Sequence, residues 1–191
     1  MKFNFRLFAF LVSTFLCTVN IVMAEEVGDN FQLLSDVVPN FTLPSVKLIG
    51  QDGREVSFPK EIDDGKPVLL TFIYTSCKGV CPIISHVMKS VQNKLGERAK
   101  EIHMISISVD PEYDTPERLT QYSHQLEAGP QWLHFTGKNE EIVMLEKAFK
   151  VYRGDKMNHV TVFFVRPAPT QPWLRFIGFV NPDNLIKKLG L

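Results

Sequence analysis

Two cysteines separated by three residues are the side chains whose type and spacing point most directly to chemistry. They are Cys77 and Cys81, in the stretch Thr-Ser-Cys-Lys-Gly-Val-Cys-Pro that ends at Pro82. A disulfide across so short a loop restrains the unfolded chain little, so it contributes little as a structural cross-link. Closely spaced cysteines are instead typical of redox-active pairs and of metal sites.

The residues around the pair predict where it lies. The apolar run Val68–Tyr74 is typical of a central strand buried on both faces, and the positions after Cys81 follow helical spacing up to Gly96. At such a helix start, unpaired N–H groups and the helix dipole lower the pKa of one or both thiols. Helical residues four apart lie about 5–6 Å apart at Cβ. The two sulfurs can therefore close a disulfide or jointly hold a soft metal ion, and spacing alone does not separate these outcomes.

His159 is the candidate for a third functional group. It directly precedes a predicted strand, so we expect it in a loop at one end of the sheet. The alternative is an ordinary surface histidine. His86, five residues beyond Cys81, is the second choice as a ligand. The other histidines are predicted on a helix or in strands, away from the cysteine loop: His103, His124 and His134.

The order of elements predicts one α/β domain, a sheet with helices on both faces. Residues 41–58 alternate around Asp52-Gly53 as in a hairpin. Further strands are predicted at 68–74, 102–109, 132–135, 160–165 and 174–180. One helix is predicted to follow the cysteine pair. Three more are predicted to begin at the capping residues Thr115, Asn139 and Asn181.

The first 24 residues are predicted to be a targeting segment. Lys2 and Arg6 precede an apolar run, and Val22-Met23-Ala24 resembles a signal-peptide cleavage site. The alternative is an uncleaved membrane anchor. In either case the domain crosses a membrane, to the periplasm or the outer face of the cytoplasmic membrane.

The remaining chain is divided into a leader, residues 25–40, which has little periodicity, and a domain, residues 41–191. Cleavage would remove Cys17 and leave Cys77 and Cys81 as the only cysteine pair. Membrane contact is expected only through a retained N-terminus.

Composition and charge exclude several classes of function. Hydrophobic residues make up 45% and charged residues 22% of the chain, which is ordinary for a globular protein and argues against disorder. Lys plus Arg and Asp plus Glu both number 21, so there is no basic surplus to attract nucleic acid or anionic lipid.

Three segments together resemble the Sco/SenC family of copper-handling proteins related to cytochrome oxidase assembly. They are FIYTSCKGVCP, ISVDPEYDTPERLTQY and LHFTGKNEEIVMLEKAFKVY, and His159 lies where that family has its single ligand histidine. The resemblance implies a thioredoxin-like fold with an extra N-terminal hairpin. It also implies that Cys77, Cys81 and His159 hold one copper ion. Two thiolates suit Cu(I), and an added imidazole lets the same site hold Cu(II).

The sequence departs from the family's pattern beside the predicted ligands. Lys78-Gly79 replaces the family's common Pro-Asp, and Asn158 stands where Asp is often found. Two negative charges near the metal are thus missing, and Lys78 adds a positive one. We expect weaker retention of a cation and an altered docking partner. Compared with thioredoxins, the cysteine spacing is one residue longer and Ser76 precedes the first cysteine, which favours metal capture over general thiol exchange.

Two classes of function remain. The first is an exported copper metallochaperone that passes the ion to a receiving protein, such as a cytochrome oxidase subunit, or that serves copper homeostasis. The second is a thiol–disulfide oxidoreductase in which Cys77 and Cys81 act on partner cysteines. His159 favours the first class, because dithiol exchange does not require it.

Three further residues receive plainer interpretations. Asp110 and Asp114 are assigned turn and capping roles in the loop after a predicted strand. Met157, close to His159, is the one candidate copper ligand among the methionines that could suggest such a site, because the other three fit core patterns: Met88, Met104 and Met144.

Overall fold

The computed structural model describes the backbone of residues 34–38 and all atoms of residues 42–191. The described strands are Leu34–Val38 (β1), Val46–Gly50 (β2), Glu55–Phe58 (β3), Val68–Ile73 (β4), His103–Ser108 (β5), Trp132–Gly137 (β6), Val162–Arg166 (β7) and Trp173–Ile177 (β8). The α-helices are Cys81–Leu95 (α1), Pro116–Gln125 (α2), Asn139–Ala148 (α3) and Pro182–Leu189 (α4), and short 3-10 helices cover Lys60–Ile62, Gly96–Glu101 and Lys156–Asn158.

The strands form one mixed sheet in the order β1-β8-β7-β4-β5-β6-β2-β3. The neighbours β4, β5 and β6 are parallel, whereas β7 pairs antiparallel with β4 and with β8. The predicted hairpin is confirmed as β2 and β3, which join the sheet through β6. Since β4 and β5 run parallel, the loops that leave their carboxyl ends meet at one edge of the sheet.

Strand β4 is buried along its whole length and divides the core into two layers. Alternate residues point to opposite faces of a strand. Leu70 and Phe72 pack in one cluster with the hairpin and α3, and Leu69 and Ile73 pack in the other with α1 and α4. The predicted α/β class, with helices on both faces of the sheet, is therefore confirmed.

Several helix ends match the sequence signals. Helix α1 ends before Gly96, whose positive φ of 54° suits glycine. Thr115 accepts a hydrogen bond from the N–H of Arg118 at the start of α2, and Asn181 accepts one from Asp183 at the start of α4.

Three sequence predictions need correction. Asn139 is the first helical residue of α3 rather than its cap, because Lys138 occupies the cap position without a side-chain hydrogen bond. Strand β8 ends at Ile177, before residue 180, since Gly178 adopts a φ of 93° that breaks the extended backbone. Residues 25–40, predicted to be a leader with little periodicity, contain the strand Leu34–Val38 (β1). This strand pairs antiparallel with β8, which is distant in sequence, so local periodicity does not reveal it.

Residues 1–24, where the targeting segment and Cys17 are predicted, lie outside the described part of the chain. Within the described part, no helix combines the length and apolar character needed to cross a membrane.

Candidate metal centre

The two cysteines lie between the end of β4 and the start of α1, as the sequence predicts. Helix α1 begins at Cys81, with Pro82 in its first turn. The cap residue Val80 makes no side-chain hydrogen bond, and the backbone N–H of Cys81 donates to Sγ of Cys77 at 3.5 Å. The sulfur of Cys77 thus accepts one of the N–H groups that a helix start leaves without a backbone partner.

The two thiols are free and differ in their surroundings. Burial is the largest influence on Cys77 and raises its pKa, but hydrogen bonds from Cys81, Tyr74 and Gly79 together outweigh it, so the pKa of Cys77 lies below its ordinary value. Cys81 is only 1% exposed, and burial raises the pKa of its thiol strongly. The predicted lowering of a thiol pKa therefore holds for Cys77 alone.

The cysteine loop is anchored by Asp114, whose side chain is fully buried. Asp114 accepts hydrogen bonds from the backbone N–H of Thr75 at 3.0 Å and from the hydroxyls of Thr75 and Ser108 at 2.5 and 2.6 Å. These contacts fasten the loop after β4 to the loop after β5. The predicted turn or capping role of Asp114 is therefore incomplete, because its main partner lies 39 residues away in sequence.

Asp110 lies in a turn, as predicted, since its carbonyl accepts from the N–H groups of Tyr113 and Asp114. Its carboxylate has a further partner, Nζ of Lys156 at 2.5 Å. Lys156 begins the 3-10 helix that precedes His159. The ion pair thus links the loop after β5 to the segment that carries the histidine, a role that sequence reasoning missed.

The ring of His159 is partly buried and fixed, unlike that of an ordinary surface histidine. Its Nε2 lies 2.8 Å from the carbonyl oxygen of Phe72 in β4. A carbonyl oxygen only accepts, so Nε2 carries the proton and Nδ1 keeps its lone pair. Burial is the main reason that the pKa of His159 is lowered; the Phe72 carbonyl opposes this shift and Arg153 adds to it. The ring is therefore neutral at neutral pH, with Nδ1 able to bind a metal.

Cys77 and His159 line one open cavity of about 380 Å³, together with Tyr74 and Lys78. Cys81 does not line this cavity, although its N–H contacts the sulfur of Cys77. Across residues 42–191, no three His, Cys, Asp or Glu side chains stand close enough together to hold a metal ion. The structure therefore brings the predicted ligands to one region, around Cys77, without forming a preassembled metal site.

Tyr74 is a residue of this site that sequence reasoning missed, because it ends the apolar run and its sequence signal is that of a strand residue. The hydrogen bond to Cys77 is the largest of the influences that raise the pKa of Tyr74 to about 12. The hydroxyl oxygen also lies 3.6 Å from Sδ of Met157, and its single proton is donated to one of the two sulfurs at a time. The phenol therefore stays protonated and contacts two sulfur atoms.

The remaining histidines have other surroundings. His86, the second choice as a ligand, lines a separate groove that also contains Cys77. His103 pairs with Asp64 at 2.7 Å. His134 is fully buried against Trp132, and burial lowers its pKa to about 3, so it is a neutral core residue.

Comparison with known proteins finds a match to the family model described as SCO1/SenC over residues 35–189. Protein SenC of Rhodobacter capsulatus is 36% identical over 144 residues, which cover 71% of this chain and 62% of that protein. The chain spans about half the length of the curated relatives it matches.

Solved structures agree with the fold. ScoI of Bradyrhizobium japonicum, solved with copper bound, is 26% identical with a TM-score of 0.63, covering 77% of this chain and 96% of that one. BsSco, described as a member of the Sco family of cytochrome c oxidase assembly proteins with a disulfide switch, is 27% identical with a TM-score of 0.68, covering 81% and 94%. The expected thioredoxin-like fold is thus confirmed, and the chain belongs to the SCO1/SenC family.

Proposed function

We propose that this chain is a copper metallochaperone that binds one copper ion through Cys77, Cys81 and His159. The observation that carries the proposal is the cavity shared by Cys77, a thiol of lowered pKa, and His159, whose Nε2 donates to Phe72 and whose Nδ1 keeps its lone pair. The copper-bound structure of the related ScoI supports the choice of metal.

The chemistry of the three groups suits copper in both common oxidation states. Thiolates are soft ligands that prefer Cu(I), and imidazole extends the set to Cu(II). Cys81 is protonated before the metal arrives, because burial raises its pKa. Copper therefore displaces the proton of Cys81, and binding releases protons to solvent.

The exposed setting of the site suits transfer rather than permanent storage. Cys77 is only partly buried and its cavity is open to solvent, so an incoming ligand of a partner can reach the ion. The receiving protein is proposed to be a copper acceptor such as a cytochrome oxidase subunit, since the related BsSco is described as an oxidase assembly protein. The predicted targeting segment 1–24 leads us to propose the periplasm, or the outer face of the cytoplasmic membrane, as the place of transfer.

The second candidate is thiol–disulfide exchange, which the unequal thiols favour. A partly exposed Cys77 of lowered pKa is suited to attack a partner disulfide, and the buried Cys81 is suited to resolve the mixed disulfide. The fixed Nδ1 of His159 has no task in such a reaction, so copper binding ranks first.

A copper titration of the reduced and oxidised chain tests the proposed function. We expect the reduced full-length chain to bind one Cu(I) per molecule and the Cys77–Cys81 disulfide form to bind none, because ligation needs thiolates. A Cys17→Ser background removes the third cysteine of the chain. Competition with a chromogenic Cu(I) chelator under anaerobic conditions gives the stoichiometry.

Equal binding by the two forms would contradict the proposal, since the two cysteines then could not be the ligands. A reduced chain that takes up no copper but reduces a model disulfide would favour the oxidoreductase instead.

A further inference from the structure

Met157 is an exposed methionine beside the proposed copper ligands. Its side chain is 71% exposed, so packing in the core does not account for it. It lines the same cavity as Cys77 and His159. A thioether in this position is a soft donor that neither the proposed ligand set nor the core uses.

The hydroxyl of Tyr74 brings the two cavity sulfurs near each other. Its oxygen lies 3.6 Å from Sδ of Met157 and is also a hydrogen-bond partner of the sulfur of Cys77, so its single proton can be donated to either sulfur. The ring of Tyr74 is only 6% exposed, so the hydroxyl is held in a set place. Both sulfur atoms therefore lie within reach of one fixed oxygen, at the cavity that His159 also lines.

The backbone that carries Met157 is held as well. Its N–H donates to the carboxylate of Asp155 at 2.8 Å, and the neighbouring Lys156 is paired with Asp110. The N–H of His159 donates to the carbonyl of Lys156, which closes the turn between methionine and histidine. The thioether of Met157 and the imidazole of His159 thus belong to one short segment whose backbone is held by hydrogen bonds and an ion pair.

We propose that Met157 is an additional, Cu(I)-selective ligand at the mouth of the cavity, an inference that rests on the proposed copper site. Thioethers bind Cu(I) and are poor ligands for Cu(II), and they need no deprotonation. The sulfur has a second lone pair, so it can bind the ion while it still accepts from Tyr74. Because Met157 is the most exposed of the donors, it meets incoming Cu(I) before the buried Cys81 does.

The test compares Met157→Leu with Met144→Leu in the reduced full-length chain. Met144 is 48% exposed, so its predicted place in the core is wrong, and it does not line the cavity. We expect Met157→Leu to weaken Cu(I) binding roughly tenfold, which corresponds to about 1.4 kcal/mol, and to leave Cu(II) binding unchanged. Met144→Leu should change neither. Chelator competition measures both affinities.

A second measurement needs no variant. With methyl-¹³C methionine in the parent chain, adding Cu(I) should shift the Met157 methyl signal and leave that of Met144 in place. A parent that binds Cu(I) while the Met157 signal does not move and Met157→Leu keeps full affinity would overturn this inference alone. Equal loss of Cu(I) and Cu(II) affinity in Met157→Leu would also overturn it. A parent that binds no Cu(I) would overturn the proposed function and this inference together.

Discussion

Replacing His159 with alanine is expected to abolish tight Cu(II) binding while Cu(I) is still held. The variant keeps the sulfurs, which suit Cu(I), and loses the imidazole nitrogen that stabilises Cu(II). The expected loss of Cu(II) affinity exceeds about 100-fold, since mutation of groups that only support a ligand already costs 10–100-fold. Competition titrations and the sulfur-to-copper charge-transfer absorption measure this loss.

His86→Ala is the matched control, because His86 lines the other groove beside Cys77. It should bind Cu(II) like the parent. Circular dichroism must show that His159→Ala is folded, since the variant also loses the hydrogen bond to Phe72. A folded His159→Ala chain with the parent's Cu(II) affinity and spectrum would remove His159 from the ligand set and move thiol–disulfide exchange ahead of copper binding.

The second large effect is expected at Asp114, which holds the cysteine loop. Asp114→Ala should lower the free energy of unfolding by about 3 kcal/mol, because the buried hydroxyl of Ser108 and the partly buried donors of Thr75 lose their carboxylate acceptor. Denaturant unfolding of the metal-free, reduced chain, followed by circular dichroism, measures the change.

Glu112→Ala is the control for this experiment, since Glu112 is an exposed carboxylate in the same loop. Its effect should stay within about 0.5 kcal/mol. If Asp114→Ala unfolded at the same denaturant concentration as Glu112→Ala, Asp114 would not be the anchor of the loop.

Much of the fold is predictable because its signals are local. The run Val68–Tyr74 is apolar without interruption, as a strand covered on both faces requires, and the spacing after Cys81 repeats with the helix. Leu34–Val38 carries no comparable signal. Its strand depends on a partner, β8, that lies well over a hundred residues along the chain.

The features of the candidate site also fall into those with local sequence signals and those that depend on distant contacts. The positions of Cys77 and His159 follow from the elements beside them, and the structure places both on one cavity. The raised pKa of Cys81 could not be predicted, because it depends on how α1 packs on the sheet. The contacts of Asp114 with Thr75 and of Met157 with Tyr74 join residues 39 and 83 positions apart.

The central claim, a copper site of two thiolates and one imidazole, is tested most directly by X-ray absorption spectroscopy of the Cu(II)-loaded, full-length chain in the Cys17→Ser background. The account predicts an inner shell with two sulfur atoms and one imidazole nitrogen, and loss of the imidazole scattering in His159→Ala. A shell of nitrogen and oxygen atoms only, or one with a single sulfur, would contradict it.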